Sequence, residues 1–341
     1  MSTADLREPE ARVETGDLRS ESPKDRGAPV WRLRGSRAGL LLALLTIPVA
    51  WMGRTSPTEL LLTLDALTVD DAPRSSIPLD VHPRVEKWFT AFQTTRRAEF
   101  EHLLVRKQRF DEIIQSNLRV RGMPEELVYI PMIESEYSPL AVSRVFAVGL
   151  WQFMSPTAMQ YGLRMDPFVD ERRDPVRATD AALDYLAYLH NRFGGSWYLA
   201  AAAFNAGPGR LELVLNRHAA GREWNDALFW DIVDYLPRET REYVPKMIAV
   251  SRLARDVEVV DSAGTVTPYR YDNIFVPGYT TLQSVADALD ANAELIFALN
   301  PHLVQGMTPP GEMYPVRVPV GSGAAAVARL SGDMPIRRTD D

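Results

Sequence analysis

Cysteine is absent from the 341 residues of this chain. Its absence excludes disulfide bonds, thiolate metal sites, a thiol nucleophile and lipid attachment to an N-terminal cysteine. Histidine is scarce as well, and the five that occur are scattered without the spacing that metal ligands need. The sequence therefore predicts no metal site and no other cofactor.

An excess of positive charge is also missing. Lys and Arg number 38 against 45 Asp and Glu, which gives a net charge of -7, and basic residues do not alternate with aromatic ones. Such a surface offers no attraction to a phosphate backbone, which argues against nucleic acid as a partner. Hydrophobic residues make up 46% of the chain, with 12 Phe and 7 Trp. We therefore expect a mainly globular protein with one substantial core and a second, smaller one.

A single long run without charge stands near the N-terminus, at residues 39–52. Basic residues precede it, so the polar residues 1–37, expected to be disordered, are placed in the cytoplasm and the rest of the chain outside the inner membrane. We interpret residues 38–53 as an uncleaved inner-membrane anchor. A cleaved signal segment remains the alternative, because the run is short for a spanning helix and contains Pro48.

The remaining chain divides into four parts by composition. Residues 54–83 are rich in Pro, Asp and Ser, which is typical of a linker. In residues 84–256 apolar side chains repeat at helical spacing, which predicts a compact all-helical domain. Residues 257–321 predict a small α+β module, in which the order is strand, helix, helix and strand from Tyr269 onward. Residues 322–341 are expected to be a disordered tail.

One acidic residue lies on an apolar helix face. Leu127, Ile130 and Glu134 are spaced i, i+3 and i+7, so they share one face, whereas Glu136 points elsewhere. Burial without a partner raises the pKa of a carboxyl group, as a general acid working near neutral pH requires. From this segment alone, a glutamate at a helix end that bonds a neighbouring loop is an equally good interpretation.

Five segments in fixed order carry a resemblance to a known family. Together they resemble the soluble-type lytic transglycosylases of glycoside hydrolase family 23, in particular the membrane-bound lytic murein transglycosylase D type. The resemblance implies a lysozyme-like helical fold with Glu134 as the catalytic acid. The matching segments are MPEELVYIPMIESEYSP (123–139), AVGLWQFMSPTAMQYGL (147–163), DERRDP (170–175), WYLAAAAFNAGPGR (197–210) and LPRETREYVPKMIA (236–249).

The resemblance also implies residues that bind the sugar strand. Ser135 would supply a hydroxyl beside the acid, and the amides of Gln152 and Asn205 would bind sugar hydroxyls or an N-acetyl group. Glu239 would hydrogen-bond an acetamido group, and Tyr243 would place its phenol near the acid. These roles make peptidoglycan glycan strands the expected partner, and the bacterial envelope, with a periplasmic catalytic domain, the expected location.

The number of carboxylates bears on the mechanism. Hydrolytic glycosidases commonly use two, whereas only Glu134 has an assigned place here. In the family that the chain resembles, the C6 hydroxyl of N-acetylmuramic acid attacks C1, which leaves a 1,6-anhydromuramic acid end. The resemblance therefore implies a lyase that cleaves the β-1,4 bond between N-acetylmuramic acid and N-acetylglucosamine.

Two alternatives stay open alongside this lyase activity. One is a hydrolysing muramidase, and the other is an inactive peptidoglycan-binding scaffold. The second draws on Phe204, which stands where the family usually has tyrosine. Residues 271–321 also resemble a LysM module, for which glycan binding and a merely structural role are both open.

Overall fold

A computed structural model describes residues 76–255, 266–311 and 313–332. The predicted tail at residues 1–37, the anchor at 38–53, most of the linker and a strand-like stretch at 257–260 lie outside this part of the chain. Within it, no helix is both long enough and apolar enough to cross a bilayer.

The described chain is mainly helical, which confirms the predicted fold class at that level. The helices are α1 (Pro83–Gln93), α2 (Arg97–Gln108), α3 (Asp111–Val120), α4 (Ile130–Ser135), α5 (Ser155–Gln160), α6 (Pro175–Arg192), α7 (Trp197–Ala206), α8 (Pro208–His218), α9 (Asp226–Ile232), α10 (Arg238–Arg255), α11 (Leu282–Leu289), α12 (Ala293–Leu299) and α13 (Gly323–Gly332). Short 3-10 turns cover Glu125–Tyr129, Glu171–Arg173 and Val233–Tyr235.

Helix α7 lies at the centre of the helical part. All its residues from Trp197 to Ala203 are buried, and four consecutive alanines let neighbouring helices approach closely. Ser196 caps its N-terminus by accepting a hydrogen bond from the Leu199 amide at 3.1 Å. Helices α6, α8 and α10 pack against it. Because α7 is fixed on these sides, its last turn, which carries Asn205, has a defined position.

The end of the predicted linker packs on the helical part. Ile77 is buried, the Tyr198 hydroxyl donates to the Pro78 carbonyl, and Trp230 Nε1 donates to Asp80 Oδ2 at 2.8 Å. Residues 76–82 therefore belong to the folded unit, where the composition had predicted linker. The reason is that a few specific contacts hold this segment, and those contacts leave no periodic pattern in the sequence.

The C-terminal module has the predicted order of strand, helix, helix and strand. Strand β1 (Tyr271–Val276) pairs antiparallel with β2 (Tyr314–Pro319), with Tyr271 opposite Pro319. One face of this two-stranded sheet buries Ile274 and Val316 against α11 and α12. The likeness to a LysM module stays a prediction.

Helix α13 occupies residues for which a disordered tail was expected. Ala326 is fully buried, and the carboxylate of Asp272 accepts hydrogen bonds from the amides of Gly321 and Gly323 at 2.9 and 3.0 Å. Arg329 donates to the Ala288 carbonyl of α11 at 2.9 Å. The tail expectation is thus corrected for residues 323–332, because Ala326 and Leu330 pack against the apolar core of the module.

A buried ion pair joins this module to the helical part. Arg317 of β2 donates two hydrogen bonds, of 2.9 and 2.8 Å, to the carboxylate of Asp174. Asp174 also caps α6 by accepting from the amides of Val176 and Arg177. Beside the pair, a bridge links Val169 with Leu303. The module is therefore fixed to the helical part rather than tethered beside it.

Candidate active site

Glu134 lies on the last turn of α4, next to apolar side chains of the core. Leu127 and Ile130 are completely buried, as their shared face predicted, and the Glu134 side chain is half-buried over them. The helix ends because Glu136 and Tyr137 adopt left-handed conformations, with φ of 53° and 57°. The carboxyl group therefore stands at the edge of the core rather than in open solvent.

The carboxyl group of Glu134 has a direct partner on α10. Tyr243, a buried residue, donates from its hydroxyl to Glu134 Oε1 at 2.8 Å. Burial raises the pKa of Glu134 from 4.5 to about 7; the bond from Tyr243 lowers it, nearby Glu239 raises it, and Lys246 lowers it. Burial and the neighbouring carboxylate hold the pKa of Tyr243 well above its usual value, so this phenol remains a donor. Glu134 can therefore carry a proton near neutral pH.

Asn205 and Glu239 meet beside this pair. Thr240 donates from Oγ1 to Asn205 Oδ1 at 2.8 Å, and Asn205 Nδ2 donates to Glu239 Oε1 at 3.3 Å. Glu239 precedes Tyr243 by four residues on α10, which places both on one helix face. The structure thus brings four of the predicted residues, Glu134, Asn205, Glu239 and Tyr243, to one place.

Ser135 has a different environment from the one that the resemblance implied. The residue is buried, and its hydroxyl donates to the Leu150 carbonyl at 2.8 Å, with the Pro131 carbonyl at 3.2 Å. Its single proton is used inside the protein. Ser135 therefore ties α4 to the GLWQ loop, and its proton is not turned toward a sugar.

Gln152 is held on that same loop. Its backbone is left-handed, with φ of 48°, and its Nε2 donates to the carbonyls of Gly149 at 2.8 Å and Ala141 at 3.3 Å. Among the described residues, none donates to its Oε1. In the described structure no hydrogen bond joins its side chain to Glu134.

Gly149 explains how the loop is placed. Its φ is 85°, and a Cβ there would lie 1.8 Å from the Arg172 carbonyl oxygen. No residue with a side chain fits so close to another backbone. The GLWQ loop is thereby pressed against the DERRDP segment, and the position of Gln152 follows from that contact.

Phe204 contributes a ring next to Asn205. It is half-buried and packs at a tilt against Tyr185, with ring centroids 5.5 Å apart, and Tyr185 in turn lies 5.1 Å from Tyr161. Sequence reasoning did not single out these two tyrosines. It also missed Lys246, which follows Tyr243 by three residues and could have been found by extending the same helical face.

Comparison with known proteins gives one family match and several similar relatives. Residues 111–227 match the model of the Transglycosylase SLT domain family. The membrane-bound lytic murein transglycosylase D of Escherichia coli (strain K12) is 39% identical over 143 residues, which cover 42% of this chain and 31% of the relative. The soluble lytic murein transglycosylase of Salmonella typhimurium is 36% identical over 122 residues, which cover 34% of this chain and 18% of the relative.

Solved structures give a weaker likeness. The 70 kDa soluble lytic transglycosylase of Escherichia coli is 21% identical, with a TM-score of 0.36, over 58% of this chain and 40% of that one. The chain spans under a third of the length of the first curated relative it matches. The residues that match the Transglycosylase SLT domain family lie within the helical part, and the resemblance drawn from the five motifs is confirmed.

Proposed function

We propose that this protein is a peptidoglycan lytic transglycosylase and that Glu134 is its acid and base. It cleaves the β-1,4 bond between N-acetylmuramic acid and N-acetylglucosamine in a lysozyme-like helical domain. The observation that carries this proposal is the carboxyl of Glu134, which has a pKa of about 7 and accepts a hydrogen bond from Tyr243. A group with that pKa is able both to give and to take a proton at neutral pH.

The proposed reaction needs no second carboxylate. Glu134 protonates the bridging oxygen, the bond from C1 to that oxygen breaks, and the C6 hydroxyl oxygen of the same muramic acid bonds to C1. The Glu134 carboxylate then takes the proton of that hydroxyl, so no water is consumed and a 1,6-anhydro end is formed. An attack within one sugar ring has the entropic advantage of proximity, worth roughly 7 to 11 kcal/mol in favourable cases.

The neighbouring side chains have supporting roles in this proposal. Gln152 and Asn205 bind sugar hydroxyls or the N-acetyl group, and Glu239 accepts from an acetamido N–H. Ser135 acts through the loop, because its bond to the Leu150 carbonyl fixes the GLWQ turn relative to the acid. Tyr243 orients Glu134 and stabilises its carboxylate form.

Hydrolysis is the second candidate, and Glu239 is the observation that favours it. Its carboxylate lies close enough to raise the pKa of Glu134 and is exposed, so it could activate a water molecule as a base. The two reactions differ in product mass, since an anhydro end is lighter by one water than a reducing end. An inactive scaffold would release neither product.

The proposed location is the periplasmic side of the inner membrane, with residues 38–53 as the anchor. The name of the membrane-bound relative supports a place in the envelope. N-terminal sequencing of protein from a membrane fraction tests this part: an intact N-terminus supports the anchor, and a start after residue 53 supports a cleaved signal.

We further propose that the LysM-like module binds glycan through its exposed Phe275 and Tyr279.

The main experiment digests purified sacculi with the full-length protein and identifies the muropeptides by mass spectrometry. We expect anhydromuropeptides from the wild type and a loss of at least about a hundredfold in rate for Glu134→Gln. Glu136→Gln is the matched control, because that exposed carboxylate lies outside the site. Reducing ends as the main product would favour the muramidase, and unchanged digestion by Glu134→Gln would refute the role of Glu134.

A further inference from the structure

Arg172 of the DERRDP segment is a largely buried arginine to which the proposed reaction assigns no part. Its side chain exposes only 11% of its surface. Its Nε and Nη2 donate to the two carboxylate oxygens of Asp170 at 2.9 and 2.8 Å. This two-point pairing fixes the plane of the guanidinium group, as is usual for an arginine and a carboxylate. The remaining nitrogen, Nη1, is left to bind other groups.

Nη1 of Arg172 lies against both ends of the GLWQ loop. It donates to Ser155 Oγ at 3.0 Å and to the carbonyls of Phe146 and Phe153 at 3.3 and 3.4 Å. Phe146 precedes the GLWQ residues, whereas Phe153 and Ser155 follow them. One guanidinium group therefore joins the chain before Gln152 to the chain after it.

The main chain of Arg172 contacts the same loop at its tip. Val148 and Phe153 exchange backbone hydrogen bonds of 3.1 and 3.0 Å, which close the loop around residues 149–152. At the tip, a Cβ on Gly149 would lie 1.8 Å from the Arg172 carbonyl oxygen. Arg172 thus holds the loop at two places, the tip through its carbonyl group and the ends through its side chain.

The backbone of this loop requires such support. Phe146 and Gln152 both have left-handed conformations, with φ of 64° and 48°. Residues with large side chains rarely adopt these conformations, which persist where surrounding contacts impose them. The ring of Phe146 cannot supply the contact, because 74% of the residue is exposed. Its carbonyl, which accepts a hydrogen bond from Arg172, is therefore a point at which the loop is fixed.

We propose that Arg172 is a positioning residue, which holds Gln152 in the conformation that binds the glycan strand. The proposal rests on the proposed function, because that function gives Gln152 its role. Arg172 acts through the loop and does not itself contact the sugar. A lysine cannot replace it, because an ammonium group is a single point of charge and cannot span Asp170 and the loop together.

Hydrogen exchange tests the hold on the loop without any catalysis. Exchange of backbone amides in the full-length protein is followed by mass spectrometry, in peptides that cover residues 147–153 and, as a reference, residues 197–206 of the buried α7. We expect Arg172→Lys to speed exchange in residues 147–153 by about tenfold or more, the effect of losing one charged hydrogen bond, and to leave residues 197–206 unchanged. Arg177→Lys is the control, because that exposed arginine pairs with Glu171 and, in the described chain, makes no hydrogen bond with the loop.

Ser155→Ala is a second variant, which leaves the pair of Arg172 and Asp170 intact and keeps the test decisive if Arg172→Lys does not fold. It removes the shortest of the three contacts that Nη1 makes, so exchange in residues 147–153 should rise by about threefold. Unchanged exchange in residues 147–153 would overturn the proposal. An equal rise in residues 197–206 would overturn it too, because the variant would then have lost global stability instead.

A double-mutant cycle tests the link to Gln152. Both kcat and KM are measured on soluble, uncrosslinked glycan strands for Arg172→Lys, Gln152→Ala and the double variant. We expect Arg172→Lys to lower kcat/KM by about tenfold in the wild type, chiefly by raising KM, and by less than about twofold where Gln152 is already replaced. An equal loss in both backgrounds would refute a role through Gln152. If the wild type cleaves no strands, the proposed function fails, while hydrogen exchange still decides whether Arg172 holds the loop.

Discussion

Replacing Glu134 by glutamine should stabilise the fold in a manner that depends on pH. A half-buried carboxyl whose pKa rises from 4.5 to about 7 on folding is easier to bury as the neutral acid. Between those pH values the native state holds more protons than the unfolded chain, so the free energy of unfolding falls as pH rises. The contribution that the neutral Glu134 carboxyl makes to the free energy of unfolding is fully present below pH 4.5 and is lost as pH rises through 7.

The magnitude follows from the same pKa difference. A difference of about 2.5 pKa units corresponds to about 3 kcal/mol, at roughly 1.4 kcal/mol per unit. Glutamine stays neutral at every pH and can still accept the hydrogen bond of Tyr243, so it escapes this penalty. Partial exposure of the carboxyl makes 3 kcal/mol an upper limit. We expect Glu134→Gln to gain about 1 to 3 kcal/mol over the wild type between pH 5 and pH 8.

Urea denaturation at both pH values, followed by circular dichroism, measures the difference. Glu136→Gln serves as the control, because its exposed carboxylate, which pairs with Arg106 at 3.5 Å, lies outside the site around Glu134. A difference for Glu134→Gln that does not change with pH would show that the carboxyl is already ionised at pH 5. The argument for a neutral acid at pH 7 would then be wrong.

Three other substitutions have defined outcomes. Tyr243→Phe removes a hydrogen bond that lowers the pKa of Glu134, so the alkaline limb of the pH profile of kcat/KM should move upward by about one unit. Arg317→Met leaves the buried carboxylate of Asp174 unpaired, and the free energy of unfolding measured in urea should fall by about 3 to 5 kcal/mol. Gly149→Ala puts a Cβ into a backbone oxygen 1.8 Å away, so both the melting temperature and the rate of sacculus digestion should drop.

The helices could be predicted because their signals are local. In α1 the apolar residues Val85 and Phe92 recur at helical spacing and are buried, and Pro83 begins the helix. The two segments that the sequence misjudged, residues 76–82 and 323–332, are held by contacts with distant parts of the chain. Composition does not record such contacts.

The site was predicted unevenly, for a physical reason. The apolar face around Glu134 could be predicted from residue spacing. The contact of Glu134 with Tyr243 joins residues 109 positions apart, and only the family resemblance predicted it. The direction of the Ser135 hydroxyl could not be predicted because residue type does not reveal the side-chain rotamer, and the hydroxyl donates inward to the Leu150 carbonyl. The pairing of Arg317 with Asp174, 143 positions away, had no signal in the sequence at all.

The protonation of the acid is a property of two packed helices rather than of one residue. The apolar surroundings at α4 raise the pKa of Glu134 by burial. From α10, Tyr243 and Lys246 lower this pKa and Glu239 raises it. Because three of these contributions come from α10, a small displacement of α10 would change the pKa. Helix α10 packs against α1 and the buried α7, and these contacts hold that displacement small. The rigid helical core is thus what keeps a carboxyl group poised to exchange its proton at pH 7.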